Sequence, residues 1–208
     1  MAIVKTYLGG DISALESFLH ETGLFAHITR SNNVITCKNE NNETVLTISK
    51  DEAYVWTFTV LFSDNRTWEK SYSNHGLNYG YNCGNGAFLV LNSASLDNQY
   101  SVAITRNNKN QLTFVFPESY ISRNQVYCFT RTDPAPINHY QVHTAISGQT
   151  VLTPFLTNAA DGDVSFTPNA YYMIFGAYVG RGYAKFLMNG KRYLTDGQWV
   201  LLDESAAS

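Results

Sequence analysis

Charge is what this chain has least of. Only 15% of its 208 residues are Asp, Glu, Lys or Arg, against roughly 25% in an ordinary soluble domain. The formal net charge is −3 and no basic run occurs anywhere, so nucleic acid, which is gripped through phosphates by clustered Lys and Arg, is not an expected partner. Long apolar runs are missing too. No stretch approaches the roughly 20 residues of a membrane-spanning helix, and the N-terminal Met-Ala-Ile-Val-Lys-Thr-Tyr7 lacks the apolar core of a secretory signal. We therefore expect a soluble product made in the cytosol, with no membrane partner. Cysteine is scarce and odd in number, with Cys37, Cys83 and Cys128 widely spaced and set in no Cys-x-x-Cys or Cys/His zinc pattern. That leaves reduced core thiols, and no metal or other cofactor is expected.

Asn, Thr, Ser, Tyr and Gly fill the place of the missing charge. Such a surface of neutral polar and aromatic groups suits extracellular or virion proteins, and Thr and Tyr favour strands in any case. One helix is predicted over Asp11–Thr22. Ile12, Leu15, Phe18 and Leu19 fall on one stripe, Asp11 or Ser13 can cap it with Glu16 completing a capping box, and Gly23 is placed to end it.

From Asn33 onward the pattern is strands and turns. Val34 to Lys38 and Thr44 to Ser49 flank the Asn-Glu-Asn-Asn-Glu loop at 39–43. Tyr54 to Phe62 alternates aromatic and Thr positions. Tyr100 to Arg106 and Gln111 to Phe116 flank Asn107–Asn110, which in its simplest register sets Ala103 opposite Phe114. Val126 to Thr130 reads as a further strand. Asp133-Pro-Ala-Pro136 breaks the pattern and is the candidate boundary between a first lobe (1–132, helix plus strands) and a C-terminal β lobe (137–208), or equally one long loop inside a single sandwich. The expected class is mainly β: antiparallel, sandwich-like sheets, one short N-terminal helix and a C-terminal three-stranded meander.

That meander is the most legible element. Tyr183 to Met188, Lys191 to Thr195 and Gln198 to Leu202 are joined by Asn189-Gly190 and Asp196-Gly197, the dipeptides of type I′ hairpin turns. Two-residue loops would pair Phe186 with Tyr193 and Val200 on one face, and put Leu187, Arg192, Leu201, Lys185, Leu194 and Trp199 on the other. Both faces are then substantially apolar, whereas a sheet with one wet side should alternate cleanly. Something must pack outside, and another copy of the chain is the simplest candidate.

No constellation points to a reaction. His139 and His143 have i, i+4 spacing, but in a Tyr- and Val-rich segment after proline, where that spacing brings nothing together. Asp161-Gly-Asp163 lacks the rest of a calcium loop. No carboxylate pair stands out as a glycosidase acid and nucleophile. Ser147 and Ser165 lack a nucleophile-elbow context. Gly84-Asn-Gly86 precedes a strand, so it is not a dinucleotide loop. Enzymatic activity is not expected. The segment from His75 to Gly86 mixes Gly, Tyr and Asn in a way that can read sugar or protein surfaces, with Tyr79, Tyr81 and Asn82 as a stacking platform; a Gly-rich loop leading into strand Ala87 to Leu91, with aromatics that finish the core, is the simpler account of it. Tyr171, Tyr172 and Tyr178, with Gly180 and Gly182, repeat the flavour.

Tyr7-Leu-Gly-Gly-Asp-Ile-Ser-Ala-Leu-Glu-Ser-Phe-Leu19, Thr167-Pro-Asn-Ala-Tyr-Tyr-Met173, Gly182 to Tyr193 and Gly197-Gln-Trp199 together resemble proteins encoded among the structural genes of phages and prophages of Gram-positive gut bacteria. The resemblance covers the two ends of the chain. It implies a virion component of the tail, baseplate or head surface, made in the host cytoplasm and used as a symmetric oligomer beside other virion proteins, and it carries over no functional residues. The leading expectation is thus a non-enzymatic virion structural protein whose subunit contacts use Tyr183, Leu187, Trp199 and Leu201. The alternative is a carbohydrate- or receptor-binding β module at a virion or cell surface, engaging a host glycan through Tyr79, Tyr81 and Asn82.

Overall fold

The computed structural model describes residues 4–73, 75–82, 86–93, 99–117, 125–131, 133–140, 151–158, 164–174, 184–195 and 199–203. In chain order the first elements are β1 (Val4–Tyr7), α1 (Ile12–Thr22), β2 (His27–Ser31), β3 (Val34–Lys38), β4 (Thr44–Lys50), β5 (Trp56–Leu61) and β6 (Thr67–Tyr72). Next come β7 (His75–Asn82), β8 (Gly86–Ser93), β9 (Gln99–Arg106), β10 (Leu112–Pro117), β11 (Gln125–Thr130) and β12 (Asp133–Tyr140). The last are β13 (Val151–Asn158), β14 (Val164–Ile174), β15 (Ala184–Met188), β16 (Lys191–Thr195) and β17 (Trp199–Asp203). No helix among the described residues is long and apolar enough to cross a membrane.

The strands form three antiparallel sheets: an N-terminal one ordered β2-β3-β4-β5-β6, a central one ordered β1-β7-β8-β9-β10-β11-β12, and a C-terminal one ordered β13-β14-β17-β16-β15. The fold is mainly β and sandwich-like, as its composition predicts. In the N-terminal sheet Trp56, Phe58 and Val60 point inward while Thr57 and Thr59 bond Ser71 and Glu69 on the outer face. That sheet has one wet side.

The central sheet has none in its middle. Leu77, Leu89, Leu91, Val102, Ile104, Phe114, Phe116 and Phe129 join the N-terminal sheet and α1 in one core. The alternate positions Phe88, Val90, Ala103, Val115 and Cys128 are also buried. β13 lies against β11 and β12, and β14 against β9. An antiparallel sheet dry on both faces loses the polar half of its alternation, which explains the unbroken run Ala87-Phe-Leu-Val-Leu91.

Helix α1 has the cap that its sequence predicts. The Asp11 carboxylate accepts from the Ser13 amide at 2.8 Å, and Gly23 ends the helix in the left-handed region at φ 64°. Glu16 does not complete a capping box. It pairs instead with Arg30 of β2 at 2.7 Å. The buried stripe of Ile12, Leu15, Phe18 and Leu19 docks the helix beside β7.

Four hairpin turns share one design: 39–43, 51–55, 62–66 and 107–111. In each, the amide of the fourth residue donates to the carbonyl of the first, and the fourth residue takes a positive φ: Asn42 61°, Tyr54 59°, Asn65 67°, Asn110 60°. This is a type I turn followed by a left-handed residue, the usual three-residue hairpin loop. In three of them an Asn or Asp in first place fastens the turn: Asn39 Oδ1 accepts from the amides of Asn41 and Glu43, Asp51 Oδ1 from that of Val55, and Asn107 Oδ1 from those of Lys109 and Gln111; in 62–66, where Phe62 stands first, Asp64 Oδ1 accepts from the amide of Arg66.

Several sequence-based expectations are corrected. The three-residue loop at 108–110 sets Ala103 opposite Val115 and Ile104 opposite Phe114, one residue from the simplest register. The Gly-rich segment is a strand, β7, bulged between Leu77 and Tyr79; its glycines suggested a loop, but Gly80 serves packing. Residues 133–136 belong to β12, the edge strand of the central sheet, where proline is tolerated because an outward N–H is not needed; the C-terminal sheet begins at Val151. The first meander turn is as expected, with Asn189 and Gly190 at φ 52° and 75°. Across the second, Tyr193 pairs with Leu202 and Leu194 with Leu201, two residues from the two-residue-loop register. A shift of two leaves every residue on its expected face.

A Cβ at Gly80 would lie 2.6 Å from the ring of Phe18, which is buried in the core and has nowhere to go. Gly80→Ala should therefore cost about 1–3 kcal/mol by overpacking, read as a lower urea midpoint; an unchanged midpoint would mean that α1 shifts freely. Burial pushes the Cys37 thiol up to about 12 from 9.0, and raises Cys128 as well. Cys83 lies outside the described residues. Both described thiols stay protonated in the folded chain while the unfolded chain ionises above pH 9.0, so their contribution to stability is complete below that pH and falls as pH rises above it, for Cys37 between 9.0 and about 12. In a Cys83→Ser background, alkylation at neutral pH should be slow when folded and fast in urea.

Candidate functional site

Along β1 the side chains alternate, and the pairing with β7 sets Tyr7 opposite Tyr79 and Lys5 opposite Tyr81. These four share the face of the central sheet that carries Phe88 and Val90 further in. Toward β8 and β9 that face is closed. At the β1 edge it opens: Tyr7 is 70% exposed and Tyr79 is half-buried.

The Tyr7 and Tyr79 rings lie 5.5 Å apart at 58°, and Lys5 Nζ sits 4.0 Å from the centre of the Tyr79 ring and 5.7 Å from that of Tyr81. Gly9 explains how so exposed a ring is held. At φ 57° it turns the chain, and a Cβ there would fall 3.0 Å from the Tyr7 ring, so the phenol rests against bare backbone. The turn itself is bonded down to β7, with the amides of Leu8 and Gly10 donating to the carbonyls of Asn78 and Leu77. The result is a ledge of two tilted phenols and an ammonium, set on paired strands.

Of the platform expected from sequence, only Tyr79 takes part. Tyr81 is 3% exposed and Asn82 is 9% exposed. The Asn82 amide donates at 3.0 Å to the carbonyl of Glu21, in the last turn of α1. Asn82 thus serves the helix terminus, where carbonyls lack intrahelical partners. Tyr7 and Lys5 were missed because β1 has only four residues. Their signal in the sequence is Lys and Tyr two apart, just before Gly9-Gly10.

A second exposed aromatic, Tyr54, lies on another turn. Lys50 Nζ stands 4.8 Å from its ring centre and 5.5 Å from that of Trp56, and donates to the carbonyl of Gly10. Of the expected subunit contacts, Tyr183 lies outside the described residues. Leu187 is in β15, and Trp199 and Leu201 are in β17. The registers of β15, β16 and β17 place Leu187, Leu194, Leu201 and Trp199 at positions of one face of the C-terminal sheet. Tyr193, on the opposite face, is buried.

Titratable groups form no reactive set among the described residues. Glu43 is held low by its hydrogen bond from Asn39 and then by Arg131, and Asp64 is held low by Arg66. Both carboxylates therefore stay ionised, the opposite of a poised general acid. His139 lies in β12, an extended strand, so no helical face joins it to His143, which lies outside the described residues, as do Asp161 and Asp163. No group of three metal-ligating side chains occurs among the described residues.

No protein-family model matches the chain, and neither a curated protein nor a solved structure is significantly similar to it.

Tyr54 tests how much the exposed aromatic costs. A bulky residue in the left-handed region is disfavoured by about 1–2 kcal/mol, and the exposed cation–π contact with Lys50 returns about 0.5–1 kcal/mol. Strain wins, so Tyr54→Asn should raise the urea midpoint slightly. A clear fall would mean that Tyr54 makes a stronger contact than its exposure suggests.

Proposed function

We propose that this protein is a non-enzymatic structural component of a phage virion, working as a symmetric oligomer among other virion proteins. The observation that carries the assembly reading is the register of the C-terminal sheet. Leu187, Leu194, Trp199 and Leu201 take positions on one face, beside Lys185, Arg192 and Asp203, while buried Tyr193 takes the other. A sheet with apolar positions on both sides needs cover on both sides, and identical copies supply it most simply. The sparse charge and neutral polar surface support the reading, since interface cores exclude charge. The virion assignment draws on the resemblance of the two chain ends to phage structural proteins.

Sedimentation in native buffer at micromolar concentration should give a discrete mass above 23.3 kDa. Trp199→Asp and Leu187→Lys should each lower that mass while leaving the far-ultraviolet circular dichroism of the β fold intact. A strictly monomeric parent would sink the assembly reading. Unfolding by both variants, with no oligomer to lose, would make these residues core.

A further inference from the structure

The ledge at the β1 edge is left unused by the assembly reading, which concerns the opposite end of the chain. We propose that Tyr7, Tyr79 and Lys5 form a binding site for an anionic saccharide, one sugar ring resting on Tyr7 and its carboxylate or phosphate meeting Lys5. Three observations carry this.

The first is pre-organisation. An aromatic ring free in solvent gains little by stacking, because fixing it costs rotamer entropy. Tyr7 has already been fixed, against the backbone of Gly9 on one side and near the Tyr79 ring on another, yet it remains 70% exposed. The axial C–H groups of a pyranose make an apolar, slightly positive face that suits the negative face of such a ring.

The second is charge. Lys5 Nζ stands over the Tyr79 ring, and among the described residues no carboxylate pairs with it. Among those residues it is a cation without a carboxylate partner, positioned by a ring. The third is spacing. Lys5 and Tyr7 are two residues apart on a strand, so their side chains emerge on the same face about 7 Å apart. One sugar ring with an acidic substituent spans that distance.

The test is a proton–nitrogen and aromatic NMR titration of the full chain. The probes are a tetrasaccharide carrying glucuronate carboxylates, one carrying phosphodiester groups, and neutral chitotetraose. At least one acidic probe should shift the Tyr7 and Tyr79 ring signals saturably, and more tightly than chitotetraose does. Tyr7→Ala should weaken that binding about tenfold, and Lys5→Gln should abolish the preference for acidic over neutral probes. Tyr54→Asn, on a different turn, should bind as the parent does. No ring shift with either acidic probe up to about 10 mM, equal binding of acidic and neutral probes by the parent, or undiminished binding by Tyr7→Ala would each overturn the proposal. Both site variants keep their folded amide dispersion if the ledge is the surface feature described; loss of the fold in both would make these residues structural and overturn it as well.

Discussion

Everything in this molecule follows from the central sheet being dry on both faces through its middle strands. A sheet so placed cannot use alternation to separate core from surface, so nearly every side chain of β8 and β10 must fill space. Among the described residues, the polar ones buried in β9, β10 and β11 are small and β-branched. Thr105, Thr113 and Thr130 stand in register across β9, β10 and β11, all buried. Threonine has the shape of valine and the same preference for the pleated surface, and its one hydroxyl can be satisfied locally, as Thr113 does against the carbonyl of Gln111 at 3.4 Å.

The same constraint governs the helix. With aromatic residues packing the space between the N-terminal and central sheets, α1 can sit beside β7 only where that strand gives way. Gly80 is that place, and Asn82, two residues on, bonds the end of the helix. The tyrosines of this strand lie at the positions that point the other way. A single strand thus carries the seat of the helix on one side and the exposed ledge on the other. Arg131 closes the far end, pairing with Glu43 while its carbonyl accepts from the amide of Ser63, so turns of the N-terminal sheet are tied to the end of β11.

Local signals were legible in the sequence and non-local ones were not. The α1 stripe, its Asp11 cap, the terminal Gly23 and the Asn189-Gly190 turn depend on residues within a few positions of one another, and each is where its residues imply. Registers across longer turns depend on whether the first and last loop residues pair. At Asn107 and Gln111 they do, which moves the partner of Ala103 from Phe114 to Val115. Glycines in β7 resembled a loop because the reason for Gly80 is Phe18, 62 positions earlier and on another element. The candidate ledge was half-legible for the same reason. Tyr79 was found by composition, whereas Tyr7 and Lys5 join it only through the pairing of β1 with β7, and burial removes Tyr81 and Asn82. Apolar residues on both faces of a sheet implied a second covering layer. For the central sheet that layer comes from the same chain.

Sheet edges also decide how such a layer can grow. The central sheet ends in β12 on one side and β1 on the other. Pro134 and Pro136 strip two N–H donors from β12, and an edge strand tolerates them only on its outward rail. Another strand arriving there finds too few donors to zip against. Growth of this sheet by copies of itself is thus left with a single competent edge, so two copies can join β1 to β1 and the joined sheet then ends in β12 on both sides. Contacts of that kind are two-fold and self-limiting, whereas an open fibre requires two different complementary surfaces. A chain rich in tyrosine, asparagine and exposed strand is in this way denied end-to-end propagation along its largest sheet.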